Sequence, residues 1–269
     1  MHIHTITVST LAVRTLLAPA LIGLARLFGR RWGPRAGGWF AALPLTSGPV
    51  VLVLALERGP EFAAATCAGV LLALVSLGAF ALAYAWAARR TGWVWSSALG
   101  CSAFLAVTSL VQRLDVSLLA SFAMACVALV ITTIAMPPGT LSGQRARTPS
   151  WDIPLRMVIA ATMLWALARG AEFVGPRISG LLTPSPIAAT ILAAFTHHFD
   201  GAAPTAEFLR SLIKGLFSFA AFFLVLGMML QHTRILLAFG LACVVTLAIH
   251  GAIWSFASGS RTSWQEWMT

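Results

Sequence analysis

Charged residues are scarce in this sequence, and acidic ones are the scarcest. Only 10% of the 269 residues are charged, and 8 Asp and Glu stand against 18 Lys and Arg. A soluble domain carries about 25% charged residues. Because 59% of the chain is hydrophobic, it cannot cover a water-facing surface. The composition therefore predicts an integral membrane protein whose main partner is the lipid bilayer.

Carboxylates are missing from the middle of the apolar runs. Glu57, Asp115, Asp152, Glu172 and Glu207 all lie near run ends. This weakens a proton- or sodium-coupled mechanism of the usual kind, which places Asp or Glu inside the membrane. The sequence also contains no Ser-His-Asp set, no Gly-rich phosphate loop and no HExxH motif. No catalytic residue and no enzymatic activity are predicted.

Metal-ligand spacing is absent too. The four cysteines lie inside apolar runs and are interpreted as small core residues. His197-His198 with Asp200 is the only His/Asp cluster, and zinc needs three or four convergent ligands. No metal and no cofactor are predicted.

The net charge of +10 does not indicate a nucleic-acid partner. The arginines fall singly or in pairs between apolar runs, where they set membrane topology. A basic nucleic-acid surface would need a soluble domain to carry it. Residues 1–10 lack a basic n-region, so no cleavable signal peptide is expected.

The chain repeats itself with an offset of 142 residues, the distance from Gly33-Pro34-Arg35 to Gly175-Pro176-Arg177. The offset holds without gaps over most of each half. Other matched pairs are Arg14 with Arg156, Gly59 with Gly201, Ser76 with Ser218 and Cys101 with Cys243. A duplicated membrane unit is typical of transporters.

The apolar runs predict an all-α polytopic bundle of about nine transmembrane spans. Turn and charged residues separate them at about 5–28, 38–57, 61–88, 92–111, 116–136, 153–171, 179–198, 206–230 and 234–255.

Each repeat holds four spans, the first within residues 1–111 and the second within 153–255. Residues 112–152 supply a connector span and a cytoplasmic loop, and 256–269 form a tail. The four spans of the first repeat return the chain to the side where it began, and the connector span then crosses the membrane once more. The second repeat therefore starts on the opposite side, so the repeats are predicted to be inverted. The arginine bias of the loops places the N-terminus outside and the C-terminus in the cytoplasm.

Both repeats interrupt their second span with proline, at Pro44 and at Pro186. Proline removes a helix N–H and kinks or breaks the helix. The freed carbonyls need hydroxyls, water or a ligand. Matched breaks in inverted repeats predict a substrate site, and the candidate residues beside them are Thr46, Ser47, Gly48, Thr183 and Ser185. Ordinary kinks capped by their own hydroxyls are the alternative.

Arg14 and Arg156 occupy the same repeat position and complete the candidate binding residues. If they face the interior, their counter-charge is an anionic substrate. If they snorkel to the interface, they are anchors or pair with a neighbour such as Asp152.

The segment from Ile178 to Gly201, followed by Leu209-Arg210 and Leu216-Phe217-Ser218-Phe219, resembles the GlpM-like family of small bacterial inner-membrane proteins. Their shared pattern is a Gly-Leu, a proline-containing helix, a short Gly loop and a further apolar helix. The resemblance covers spans 7 and 8 and, more weakly, spans 2 and 3. It implies a multi-pass protein of the bacterial inner membrane, linked to the envelope or to export, with no catalytic residues.

These features predict a secondary transporter or exporter of a small solute, anionic if the two arginines face it. The alternative is a non-transporting scaffold or accessory protein of an envelope or polysaccharide system.

Overall fold

The computed structural model describes residues 20–45, 47–137, 154–159, 162 and 186–259, and this part of the chain is helical without strands. Helix α1 covers 20–32 and a further helical stretch covers 154–159. The other helices are α2 Pro34–Ala41, α3 Ser47–Arg58, α4 Pro60–Ala87, α5 Trp93–Val111, α6 Leu118–Ala135, α7 Ile187–Asp200, α8 Ala202–Met229 and α9 Ile235–Gly259.

Five of the described helices are long and apolar enough to cross a membrane. They are α4, α5, α6, α8 and the Ile235–Ile253 part of α9. They coincide with the spans predicted at 61–88, 92–111, 116–136, 206–230 and 234–255. The predicted span 38–57 is divided into α2 and α3. Spans 5–28, 153–171 and 179–198 lie partly outside the described residues.

The helix boundaries repeat with the same offset as the sequence. Helices α4 and α8 are both 28 residues long, and their first residues, Pro60 and Ala202, are 142 positions apart. Gly59 and Gly201 precede them with φ angles of 93° and 91°, a left-handed conformation that favours glycine. The duplication therefore extends from the residue types to the backbone.

Helices α4 and α8 run antiparallel. Near the start of α4 and the end of α8, a Cβ built on Gly227 would lie 3.1 Å from the Cβ of Cys67. At the opposite end, Trp86 of α4 donates its indole N–H to the carbonyl of Ala135 at 2.9 Å. Arg210, near the start of α8, donates to the next carbonyl, that of Met136, at 2.8 Å. The end of α4 and the start of α8 therefore meet at the C-terminal end of α6.

The contacts between the halves are reciprocal. Helix α5 packs on α7, and the corresponding helix of the second half, α9, packs on α3. Helices α4 and α8 pack on each other at the centre of this arrangement. Large apolar side chains on α5, α6 and α9 point outward, including Leu110, Ile134 and Leu236. This is the distribution that a helical bundle surrounded by lipid requires, because the apolar surface then meets apolar solvent.

Ion pairs join the halves at the end where α8 begins. Arg26 of α1 lies 3.2 Å from the carboxylate of Asp200, and both side chains are largely buried. Arg35 of α2 pairs with Glu207 of α8. Because breaking a buried pair leaves one charge uncompensated, the Arg26–Asp200 pair fixes α1 against the second half, while the Arg35 side chain is exposed and its pair contributes less.

Candidate functional site

Pro44 lies in a break between two helices. Helix α2 ends at Ala41, residues 42–45 form a turn, and α3 begins at Ser47. The helix break predicted at this proline is confirmed. The carbonyl of Pro44 accepts the Gly48 N–H at 2.9 Å, so the turn satisfies this acceptor within its own backbone.

Helix α2 approaches α8 closely because small residues line the contact. A Cβ on Gly38 would overlap the carbonyl oxygen of Phe208, and one on Gly215 would lie 2.5 Å from the Cβ of Ala42. Gly48, just past the break, faces the ring of Phe222. Glycine and alanine at helix contacts allow backbones to approach in this way within membranes.

A buried polar pair lies beside this contact. Ser218 of α8 and His250 of α9 are both buried, and Ser218 Oγ lies 2.7 Å from His250 Nδ1. The same hydroxyl donates to the carbonyl of Gly215 at 2.7 Å, so it accepts a hydrogen bond from Nδ1–H of His250. The ring of Trp39 covers the imidazole at a centroid distance of 3.9 Å. Helix α2, through Trp39, thereby covers the Ser218–His250 pair.

At the corresponding positions of the first half, the described residues form no such hydrogen bond, and the segment matched with α2, 176–183, lies outside the described residues. The offset of 142 matches Ser218 with Ser76 and His250 with Thr108. Both residues are buried, and neither hydroxyl has a hydrogen-bond partner in the described part of the chain. Both line a cavity of about 560 Å³.

This cavity, here called the Ser76 cavity, lies between the two halves. Its walls come from α4, α5, the loop before α6, and the end of α8 at Gly227 and Gln231. Glu61 and Asp115 line the cavity, and neither forms an ion pair among the described residues. Alanine, glycine and leucine make up about half of the wall, and the polar residues, Glu61, Ser76, Thr108, Gln112, Asp115 and Gln231, define its chemistry.

The structure places five of the nine predicted site residues. Pro44, Ser47 and Gly48 lie at the α2–α3 break, and Pro186 is the N-cap residue of α7. Helix α3 packs on α4 and α9, whereas α7 packs on α5 and α8, so the helices that follow the two prolines have different neighbours. The remaining four lie outside the described residues: Arg14, Thr46, Thr183 and Ser185.

Arg156, the fifth, is buried in the bundle. Its side chain has no exposed surface, and its guanidinium carbon lies 4.6 Å from the centroid of the Phe195 ring. Its Nη1 approaches the carbonyl oxygen of Leu192 at 3.5 Å. The sequence allowed Arg156 to lie either in the bundle interior or at the membrane interface, and the structure places it in the interior. Part of its surroundings is protein rather than solute.

Sequence reasoning missed Thr108 and His250 and treated Ser76 and Ser218 only as matched repeat positions. The signal available in the sequence was that Ser76 and Ser218 occupy the same position in the two repeats. Among the described residues, no group of three or more His, Cys, Asp or Glu side chains converges as a metal site would. Family models, curated proteins and solved structures yield no match for this chain. The resemblance to the GlpM-like family thus stays a prediction.

Proposed function

We propose that the chain is a secondary transporter of a small solute, working by alternating access between two inverted repeats. The observation that carries the proposal is the antiparallel course of α4 and α8. Repeats related by an axis along the membrane normal would direct corresponding helices the same way. Repeats related by an axis in the membrane plane direct them oppositely, and the reciprocal packing of α5 on α7 and α9 on α3 fits such a twofold.

The proposal retains nine spans in the bacterial inner membrane, with the N-terminus outside and the C-terminus in the cytoplasm. Charge supports this orientation. The end of the bundle where α8 begins carries a strong excess of basic residues, comprising Arg26, Arg30, Arg31, Arg35, Arg89, Arg90, Arg210 and Lys214 against Asp200 and Glu207. Positive charge favours the cytoplasmic side. Among the described residues at the opposite end the charges balance, with Glu57, Glu61 and Asp115 against Arg58, Arg113 and Arg234.

The Ser76 cavity and the closed Ser218–His250 pair support alternating access. They occupy corresponding positions in the two halves, yet Trp39 covers the Ser218–His250 pair whereas Ser76 and Thr108 line a cavity. Inverted-repeat transporters hold their halves in different arrangements and exchange them to move the site from one side to the other. In this proposal the breaks at Pro44 and Pro186 allow α3 and α7 to change position during the exchange.

Topology is tested by labelling single cysteines from the two sides of the membrane. Arg90 and His232 are repeat-matched positions just after α4 and α8. In a background with the native cysteines replaced, Arg90→Cys should react with a membrane-impermeant maleimide only from the cytoplasmic side. His232→Cys should react only from the outside. Labelling of both from one side would overturn the inverted arrangement.

Transport is tested with the full chain reconstituted in liposomes and screened for flux of anionic, neutral and cationic small solutes. We expect one class to move, and Pro44→Ala with Pro186→Ala to slow it. If no class moves and the double variant keeps its cellular phenotype, the scaffold function replaces transport. Crosslinking that captures a stable partner complex would then be expected.

A further inference from the structure

The Ser76 cavity has a deep end and a mouth. Along α4 it runs from Glu61 to Ser76, fifteen residues apart in the sequence and so about 22 Å along the helix axis at 1.5 Å a residue. Glu61 and Asp115 are exposed and lie at the mouth, since they flank the start of α4 and the loop before α6. Ser76 is the innermost α4 residue of the lining, and Thr108 of α5 lines the same cavity.

The deep end is built with unused hydrogen-bonding groups. Ser76 is 1% exposed and Thr108 is 4% exposed, and the hydroxyl of each lacks a partner among the described residues. Several other Ser and Thr side chains in these helices bond to a carbonyl one turn back, as Thr66 does with Phe62 and Ser109 with Ala106. A buried polar group without a partner is costly, so a bound ligand that supplies one is favoured.

The charge of the mouth selects the ligand. Hydroxyls both donate and accept, so Ser76 and Thr108 alone would admit either sign. Glu61 and Asp115 are the only charged residues among the lining described for this cavity, and both are acidic. The basic residues that balance the charge of this end, Arg58, Arg113 and Arg234, are not in this lining, so the cavity wall itself is acidic and favours cations over anions. A bare metal ion is disfavoured, because Ca²⁺ takes 6–8 oxygen ligands and the deep end offers two hydroxyls.

We infer that the Ser76 cavity binds a small organic ammonium ion. Glu61 and Asp115 attract the ion, and the hydroxyls of Ser76 and Thr108 accept hydrogen bonds from its N–H groups. The alanine, glycine and leucine walls receive its carbon chain. Gly227 and Gln231 of the second half line the same cavity, so the ligand contacts both halves. The inference rests on the proposed transport function only in making this ion the solute that moves. It replaces the anionic solute that Arg14 and Arg156 indicated.

Binding is tested by calorimetry on the full chain in nanodiscs, with n-butylammonium as the probe. Tetramethylammonium has the same charge without an N–H, and butyrate has a similar chain with the opposite charge. We expect n-butylammonium to bind more tightly than tetramethylammonium and butyrate not to bind. Equal or tighter binding of butyrate, or no binding of n-butylammonium, would overturn the inference.

Variants locate the site. Ser76→Ala with Thr108→Val should weaken n-butylammonium binding about tenfold or more, the loss expected for hydrogen bonds to a charged group. Ser109→Ala, on the same helix but outside the lining, is the control and should bind normally. Glu61→Gln with Asp115→Asn should weaken binding and reduce its salt dependence, whereas the exposed neighbour variant Glu57→Gln should change neither. Unchanged binding in both double variants would place the ligand elsewhere and overturn the inference.

Flux separates this inference from the proposed function. If n-butylammonium binds but enters proteoliposomes no faster than protein-free liposomes, the binding site is supported and transport of this ion is refuted. If another solute moves while n-butylammonium does not bind, transport stands and the ammonium site is lost.

Discussion

Ser218 Oγ lies 2.7 Å from His250 Nδ1, while the residues at the matching positions of the first half, Ser76 and Thr108, keep their hydroxyls without a partner in the described part of the chain. The same two helix positions thus form a closed polar contact in one half and line a cavity in the other.

The Ser218–His250 contact should be energetically coupled. Ser218→Ala leaves a buried imidazole N–H without its acceptor, and the free energy of unfolding should fall by about 1–3 kcal/mol. In a double-mutant cycle with His250→Phe, the two losses should overlap by about 1 kcal/mol. The measurement is reversible unfolding in mixed micelles.

Thr246→Val is the matched control for that cycle, because Thr246 lies one turn before His250 and bonds only to the Ala242 carbonyl in the contacts described. Its effect should add to that of Ser218→Ala. Additivity between Ser218→Ala and His250→Phe within about 0.5 kcal/mol would contradict the coupling.

The glycines before α4 and α8 should be required for their backbone conformation. Gly59→Ala and Gly201→Ala should each lower the free energy of unfolding by about 1–2 kcal/mol, the cost of a left-handed residue with a Cβ. Neither position has an atom within 4 Å of a built Cβ, so the loss is conformational rather than steric. Gly240→Ala, also in open space but inside α9, should be neutral or stabilising by up to about 1 kcal/mol. Equal effects at all three positions would refute this explanation.

Gly38 should be required for the close approach of α2 to α8. Gly38→Ala should destabilise the chain by about 1–3 kcal/mol, because its Cβ meets backbone atoms of Phe208 and Leu212, which cannot rotate away. Gly29→Ala is the comparison, since its Cβ would make only an ordinary contact of 3.7 Å with Gly37. Thermal unfolding of both variants in the same detergent decides the matter, and a Gly38→Ala protein as stable as Gly29→Ala would disprove the packing.

The Arg26–Asp200 pair should fix α1 to the end of α7. Asp200→Asn leaves a largely buried guanidinium with less compensating charge and should cost about 3 kcal/mol. Asp115→Asn removes an exposed carboxylate at the other end of the bundle and should change the stability by less than about 0.5 kcal/mol. Urea titration of the two amide variants measures the difference. Similar small changes in both would show that the pair contributes little.

The helix ends were predictable because glycine, proline and charged residues mark them in the sequence. Gly59-Pro60 begins α4 and Arg89-Arg90 follows its end, so the predicted span 61–88 differs from Pro60–Ala87 by one residue at each end. The start of α8 was predicted four residues late, at 206 rather than 202. Glu207 and Arg210 lie inside both the predicted span and the observed helix, and each has a partner on another helix: Glu207 pairs with Arg35, and Arg210 bonds to carbonyls at the end of α6. The four residues missed at the start, 202–205, carry no charge.

The candidate site was less predictable than the helices. The ring of Pro44 removes a backbone N–H that a continuous helix would need, so the local sequence was sufficient to predict the helix break there. Ser76 and Thr108 are 32 positions apart on different helices, and nothing local distinguishes their hydroxyls from those of Thr66 or Ser109. Their lack of partners depends on which helix faces lie together, which is a property of the packed bundle.

Both halves of the chain are tied to the same end of α6. Trp86 donates to the carbonyl of Ala135, and Arg210 donates to those of Met136 and Pro137. Any rotation of one half against the other that keeps these bonds must pivot there. The opposite end of α6 lies 18 residues away, a lever arm of about 27 Å at 1.5 Å a residue. A turn of about 10° would then displace the cavity mouth by about 5 Å while scarcely moving the basic end, so a small rotation at a fixed pivot suffices to open or shut one side.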